Sequence, residues 1–189
     1  MSIHSTQRNK IHPYKFALYL SLAGLIMMFA ALSSAYIVRQ SQGNWLEFRL
    51  PQLFYVSTAF ILMSSGSLIM TKKYFKAHKK KKYQFLLIVT FILGIGFLIT
   101  QYYSWIAMYE SGIDLKGNPA GSFVYALSIL HAFHVLGGIA VLIVALYHAF
   151  TLKFEVTAKR ILRLELTSTY WHFVDILWVY LLLFFILQR

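Results

Sequence analysis

Residues 166–188 read LTSTYWHFVDILWVYLLLFFILQ, an apolar run whose only charged residue is Asp175. At ~1.5 Å per residue, a helix of this length crosses the ~30 Å hydrocarbon core of a bilayer. An open sheet in lipid leaves backbone groups unpaired, and a membrane β-strand alternates apolar with polar residues, which this run does not. Four similar runs precede it, at 16–38, 52–71, 83–109 and 117–152, all without Asp, Glu, Lys or Arg. The sequence therefore predicts an all-α membrane bundle of five transmembrane helices, over about 16–38, 52–71, 83–109, 120–152 and 166–188. The connections are short and no repeat recurs at a fixed period, so residues 1–189 read as a single membrane domain.

Composition points the same way. The chain is 59% hydrophobic and only 13% charged, too few charges to cover the surface of a water-soluble domain of 189 residues. The net charge of +12 does not form a basic groove, because the lysines and arginines sit between the apolar runs; nucleic acid is not an expected partner. The absence of cysteine excludes disulfides, iron–sulfur clusters and thiolate metal sites. The first run is too long for the apolar core of a signal peptide and lacks a cleavage pattern after it, so it is expected to remain as a membrane helix.

The basic residues also orient the bundle. Arg8, Lys10 and Lys15 precede the first run. Lys72, Lys73, Lys76 and Lys79–Lys82 fill the second connection, and Lys153, Lys159, Arg160 and Arg163 the fourth. Together these are 14 of the 18 basic residues; only Arg39, Arg49, Lys116 and Arg189 lie on the other side. The positive-inside rule then puts the amino terminus in the cytoplasm and the carboxyl terminus across the membrane, in the periplasm. Tyr14, Trp45, Tyr83 and Tyr109 suit interface anchors. Ser33, Ser34, the run Ser64-Ser65-Gly66-Ser67, Gly94, Gly96, Gly137 and Gly138 mark expected helix contacts, since small residues let backbones approach. The cluster Lys79–Lys82 reads most simply as a topology signal; recognition of anionic lipid is compatible with it.

Two groups of residues carry possible chemistry. His131 and His134 are i, i+3 in the fourth run and share a helix face, so both could hold a metal or a haem; a structural role within the bundle is the simpler reading. In the fifth run Trp171, Asp175 and Trp178 lie at i, i+4, i+7, with His172 beside them. A carboxylate inside a membrane helix is costly and is expected to be paired. Asp175 falls about 14 Å from the inner end of its helix and His134 about 18 Å from the outer side, counted at ~1.5 Å per residue. Those depths nearly coincide, so His134, His172 and the two indole N–H groups are the expected partners of Asp175.

The segment Tyr170-Trp171-His172-Phe173-Val174-Asp175-x-x-Trp178 resembles the last-helix signature of subunit III of the haem–copper terminal oxidases, above all cytochrome c oxidase. Glu165 stands seven residues before His172, as the family's glutamate does. Gly121-Ser122-x8-His131-x2-His134-Val135-x-Gly137 resembles the penultimate-helix motif, and Gln101-x3-Trp105 a weaker motif one helix earlier. The resemblance covers roughly residues 80–189 well and the first two helices loosely. It is to the five-helix bacterial form, which lacks the first two helices of the seven-helix form.

This resemblance implies a non-catalytic subunit of an aerobic respiratory, proton-translocating complex in a bacterial plasma membrane. Haem and copper would belong to subunits I and II, so no catalytic, cofactor or metal residue is expected here. The chain would bind phospholipid and pack on subunit I, with subunit II and other respiratory subunits nearby. His131, His134, Glu165, Tyr170, Trp171, His172, Asp175 and Trp178 are then structural or lipid-contact candidates. Two departures matter: the run 16–38 has no acid where the short form usually buries a glutamate, and Ser104 stands where the family often has glutamate. Roles resting on those carboxylates do not transfer. Subunit III of a quinol oxidase, or the related accessory subunit of nitric oxide reductase, would share these motifs. A free-standing membrane enzyme with a His/Asp site is the alternative of a different class, and a transporter would more often show inverted repeats and broken helices.

Overall fold

The computed structural model describes residues 12–188, so Arg8, Lys10 and Arg189 of the orientation argument lie outside it. Five helices follow in order: α1 Pro13–Gln40, α2 Leu53–Lys76, α3 Lys80–Glu110, α4 Pro119–Thr151 and α5 Ala158–Leu187. All five are long and apolar enough to cross a membrane, and there are no strands among the described residues. The helices run past the uncharged stretches into charged residues, because Lys and Arg are good helix formers whose heads can reach water.

Local chemistry fixes the helix ends. α1 and α4 start on prolines, whose missing N–H costs nothing in a first turn. The Asn118 side chain caps α4 by accepting from the Ala120 N–H at 2.9 Å. The same side chain accepts from Leu46 N and donates to Asn44 O, tying the first connection to the third. Thr157 caps α5 through Arg160 N. His78, at φ 57°, turns the chain sharply between α2 and α3.

α2, α3, α4 and α5 close into a ring of four, each packed against its two neighbours, with α2 and α3 the most extensive pair. α1 lies outside the ring against α4 and α5, and packs on neither α2 nor α3. α5 is thus the most enclosed helix, and it carries the dense motif. Its lysine-rich end is closed by Glu165, which takes Lys15 of α1 at 3.0 Å and Lys76 of α2 at 3.6 Å. At the other end, Tyr36 of α1 donates its hydroxyl to Gln188 O, and its ring packs edge-on against Phe184.

Candidate functional site

The site is built around two indoles of α5. Trp171 is 1% exposed and occupies a slot between two glycines. A Cβ at Gly94 of α3 would stand 2.8 Å from its Cη2, and one at Gly138 of α4 would stand 2.9 Å from its Cε3 and Cζ3. Only glycine leaves room for the ring at this approach. The Trp171 Nε1–H donates to Ser64 Oγ of α2 at 3.0 Å, and that hydroxyl donates onward to Thr90 O of α3. One side chain therefore touches all three other helices of the ring.

Two turns on, Trp178 does the same at another level. Its Nε1–H donates to Thr58 Oγ1 of α2 at 2.9 Å, and its ring stacks on Phe54. Phe97 of α3 meets it edge-on at 5.1 Å between centroids. His131 of α4 lies 5.0 Å from the same indole and is fully buried. Neither of its ring nitrogens has a partner among the described residues, and Phe29 and Phe97 complete an aromatic cage around it. In this setting the imidazole packs as an aromatic ring.

His134, one turn further along α4, turns toward α1. Its Nδ1 lies 2.8 Å from Leu130 O, and its ring meets Phe29 edge-on. Tyr170 donates its hydroxyl to His134 O at 2.9 Å, joining α5 to α4. His172 faces the other way, toward α2, with its Nδ1 2.5 Å from Ser65 Oγ.

Asp175 is where expectation and structure part. The carboxyl is 2% exposed and buried, as its place beside Trp171 and Trp178 implied. Yet both its oxygens lack a hydrogen-bond partner among the described residues. The expected pairing with His134 does not form, because the register of α4 points that imidazole at α1 while Asp175 lies toward α2. Nor do the indoles reach it, since Ser64 and Thr58 take their N–H groups. Ser65 of α2 lies beside the carboxyl, but its hydroxyl is engaged by His172 Nδ1, and His172 itself does not bond Asp175.

Several residues of this site were missed by sequence reasoning. Thr58 and Ser57 act through hydroxyls in an apolar run, and Ser57 bonds both Phe54 O and Gln101 Oε1. Of the small residues, Gly94, Gly96 and Gly138 stand at helix contacts, with Phe60 against Gly96, whereas Gly66 faces open space. Among the described residues no three of His, Asp and Glu converge as metal ligands would.

A separate cavity of about 680 Å³ opens at the lysine-rich end. Leu18 of α1, Val141 and Val144 of α4, and Leu166 of α5 form apolar walls, with Arg160 and Arg163 beside them. Arg160 donates to Lys153 O and Glu155 O, which fixes its head.

Comparison with known proteins places this constellation. The family model for cytochrome c oxidase subunit III matches residues 46–188, so the likeness includes α2 as well as the motif-bearing helices. A probable cytochrome c oxidase subunit 3 of Nocardia farcinica is 29% identical over 188 residues, covering 94% of this chain and 88% of the relative. The cytochrome bo(3) ubiquinol oxidase subunit 3 of Buchnera aphidicola is 27% identical over 181 residues, covering 94% and 93%. Cytochrome c oxidase subunit 3 of Mus musculus is 29% identical over 126 residues, covering 67% of this chain and 46% of the relative. With the last-helix motif packed into one tryptophan-centred core and the family match running through four of the five helices, the chain belongs to the cytochrome c oxidase subunit III family.

Proposed function

We propose that this chain is a non-catalytic subunit that packs on subunit I of a haem–copper oxidase and holds phospholipid beside it. The observation that carries the reading is where the motif's donors go. Tyr170, Trp171 and Trp178 all donate to other helices of the same chain, so the signature builds a scaffold and leaves no converging donors for a substrate. Haem and copper belong to the neighbouring subunits on this reading. The arginine-flanked cavity supports phospholipid binding: its apolar walls suit acyl chains, and Arg160 and Arg163 suit a phosphate headgroup. The bacterial relatives support a bacterial plasma membrane, and the charge bias supports a lysine-rich end in the cytoplasm.

Cytochrome c is the electron donor that most of the relatives' names favour. The ubiquinol oxidase relative, matched over 93% of its length, favours quinol as the second reading. Purification of the whole complex through this chain tests the proposal. Subunit I should copurify with its haem spectrum, phospholipid should be retained, and a copper-A subunit should accompany it if cytochrome c is the donor. Arg160→Gln with Arg163→Gln should lower the retained phospholipid without changing the haem spectrum.

A further inference from the structure

The passage from α2 into α3 carries seven lysines between positions 72 and 82, and the chain supplies almost no countercharge for them. Of its six acidic side chains, Glu47, Glu110 and Asp114 stand at the opposite end of the bundle, and Asp175 is buried in the core. Glu155 pairs with Lys153, and Glu165 with Lys15 and Lys76. Lys72, Lys73 and Lys79–Lys82 therefore have no ion pair among the described residues. Lys80–Lys82 also fill the first turn of α3, where the helix dipole adds positive charge and no acid offsets it. The other basic connection differs: Lys153 has its carboxylate, and Arg160 has its carbonyl oxygens.

Part of this uncompensated charge is shaped. The ammonium groups of Lys79 and Lys82 lie over the Tyr74 ring, 6.0 and 5.3 Å from its centroid. Tyr74, Lys81, Lys82, Phe85 and Leu86 line a groove of about 380 Å³. Phe85 and Leu86 follow Lys82 by three and four residues, one helical turn or ~5.4 Å deeper into the membrane. Phe85 is 65% exposed. Cations thus stand at headgroup depth, and an apolar surface begins just below them. An anionic phospholipid matches both, with a phosphate for the lysines and an acyl chain for the aromatic surface. An acidic protein segment would match only the charge. The cytoplasmic leaflet, where the charge bias puts this end, is the anionic one.

We propose that this groove is a headgroup site for an anionic phospholipid, whose phosphate is met by Lys79, Lys81 and Lys82 and whose acyl chain lies on Phe85 and Leu86. The groove shares no lining residue with the arginine-flanked cavity, and the inference does not rest on the oxidase reading.

Photolabelling of the full chain in phosphatidylcholine nanodiscs, with any copurifying subunits kept in place, tests it. The probe is a trace of phosphatidylglycerol with a diazirine in its acyl chain, and the control is phosphatidylcholine with the same diazirine. Phosphatidylglycerol adducts on Phe85 or Leu86, mapped by mass spectrometry, should exceed the control at least about fivefold, the worth of one lysine at an anionic surface. Lys79→Gln with Lys82→Gln should remove most of that excess. Lys72→Gln with Lys73→Gln takes equal charge from the same passage away from the groove, where salt screens it, and should lower labelling no more than about twofold. Equal labelling by the two lipids, labelling by neither, or equal losses from the two lysine pairs would overturn the site and leave only diffuse charge. Crosslinks from Lys81 or Lys82 to an acidic protein subunit, in place of lipid adducts, would make the occupant a protein and overturn it too.

Discussion

The indole of Trp171 and the backbone of Gly138 are in such close contact that a Cβ on the glycine would lie 2.9 Å from two ring carbons. Gly94 bounds the other end of the same ring system. Overpacking a filled core costs about 1–3 kcal/mol. Gly138→Ala and Gly94→Ala should therefore lower the stability of the purified chain by that amount in a detergent denaturation assay. Trp171→Phe should relieve much of the clash at either site. Gly24 and Gly66 have no atom near a prospective Cβ, so Gly24→Ala and Gly66→Ala should be neutral or mildly stabilising.

Asp175 invites the opposite expectation from a paired buried acid. Because neither oxygen has a well-formed hydrogen bond among the described residues, and the hydroxyl of neighbouring Ser65 is engaged by His172, Asp175→Leu removes at most a weak contact and relieves the burial of a polar group. The isolated chain should keep or gain thermal stability with Asp175→Leu, and should be unaffected by Asp175→Asn. A loss exceeding about 1 kcal/mol, the worth of a typical hydrogen bond, would show that the carboxyl has a partner inside the bundle.

The helices were legible in the sequence because uncharged runs of membrane length have few alternatives. So was the buried face of α5, since Trp171, Asp175 and Trp178 follow helical spacing and all three are buried. The partners were not. An indole N–H is satisfied by any hydroxyl across a contact, and the choice of Ser64 and Thr58 depends on how α2 is rotated against α5. That rotation depends on packing across all four helices of the ring, including the seat of Trp171 between Gly94 and Gly138, which no spacing in one helix specifies. The histidines show the same limit. An i, i+3 pair is offset by about 60° around a helix, enough to put His131 in an aromatic cage and turn His134 toward α1.

Orientation is testable in whole cells because the chain has no cysteine. Single cysteines replacing Lys80 and Asp114 should react oppositely with an impermeant thiol reagent. Asp114→Cys should label from outside and Lys80→Cys only after the cells are opened. The reverse pattern would invert the bundle.

On the function proposed above, this chain is a scaffold within an oxidase and not a redox centre itself. Purification through this chain, followed by separation of the subunits, optical spectroscopy and metal analysis, decides between the two. A haem-bearing oxidase subunit should copurify, and this chain alone should show no Soret band and no stoichiometric iron or copper. A reproducible one-to-one haem or metal content on the isolated chain would contradict it.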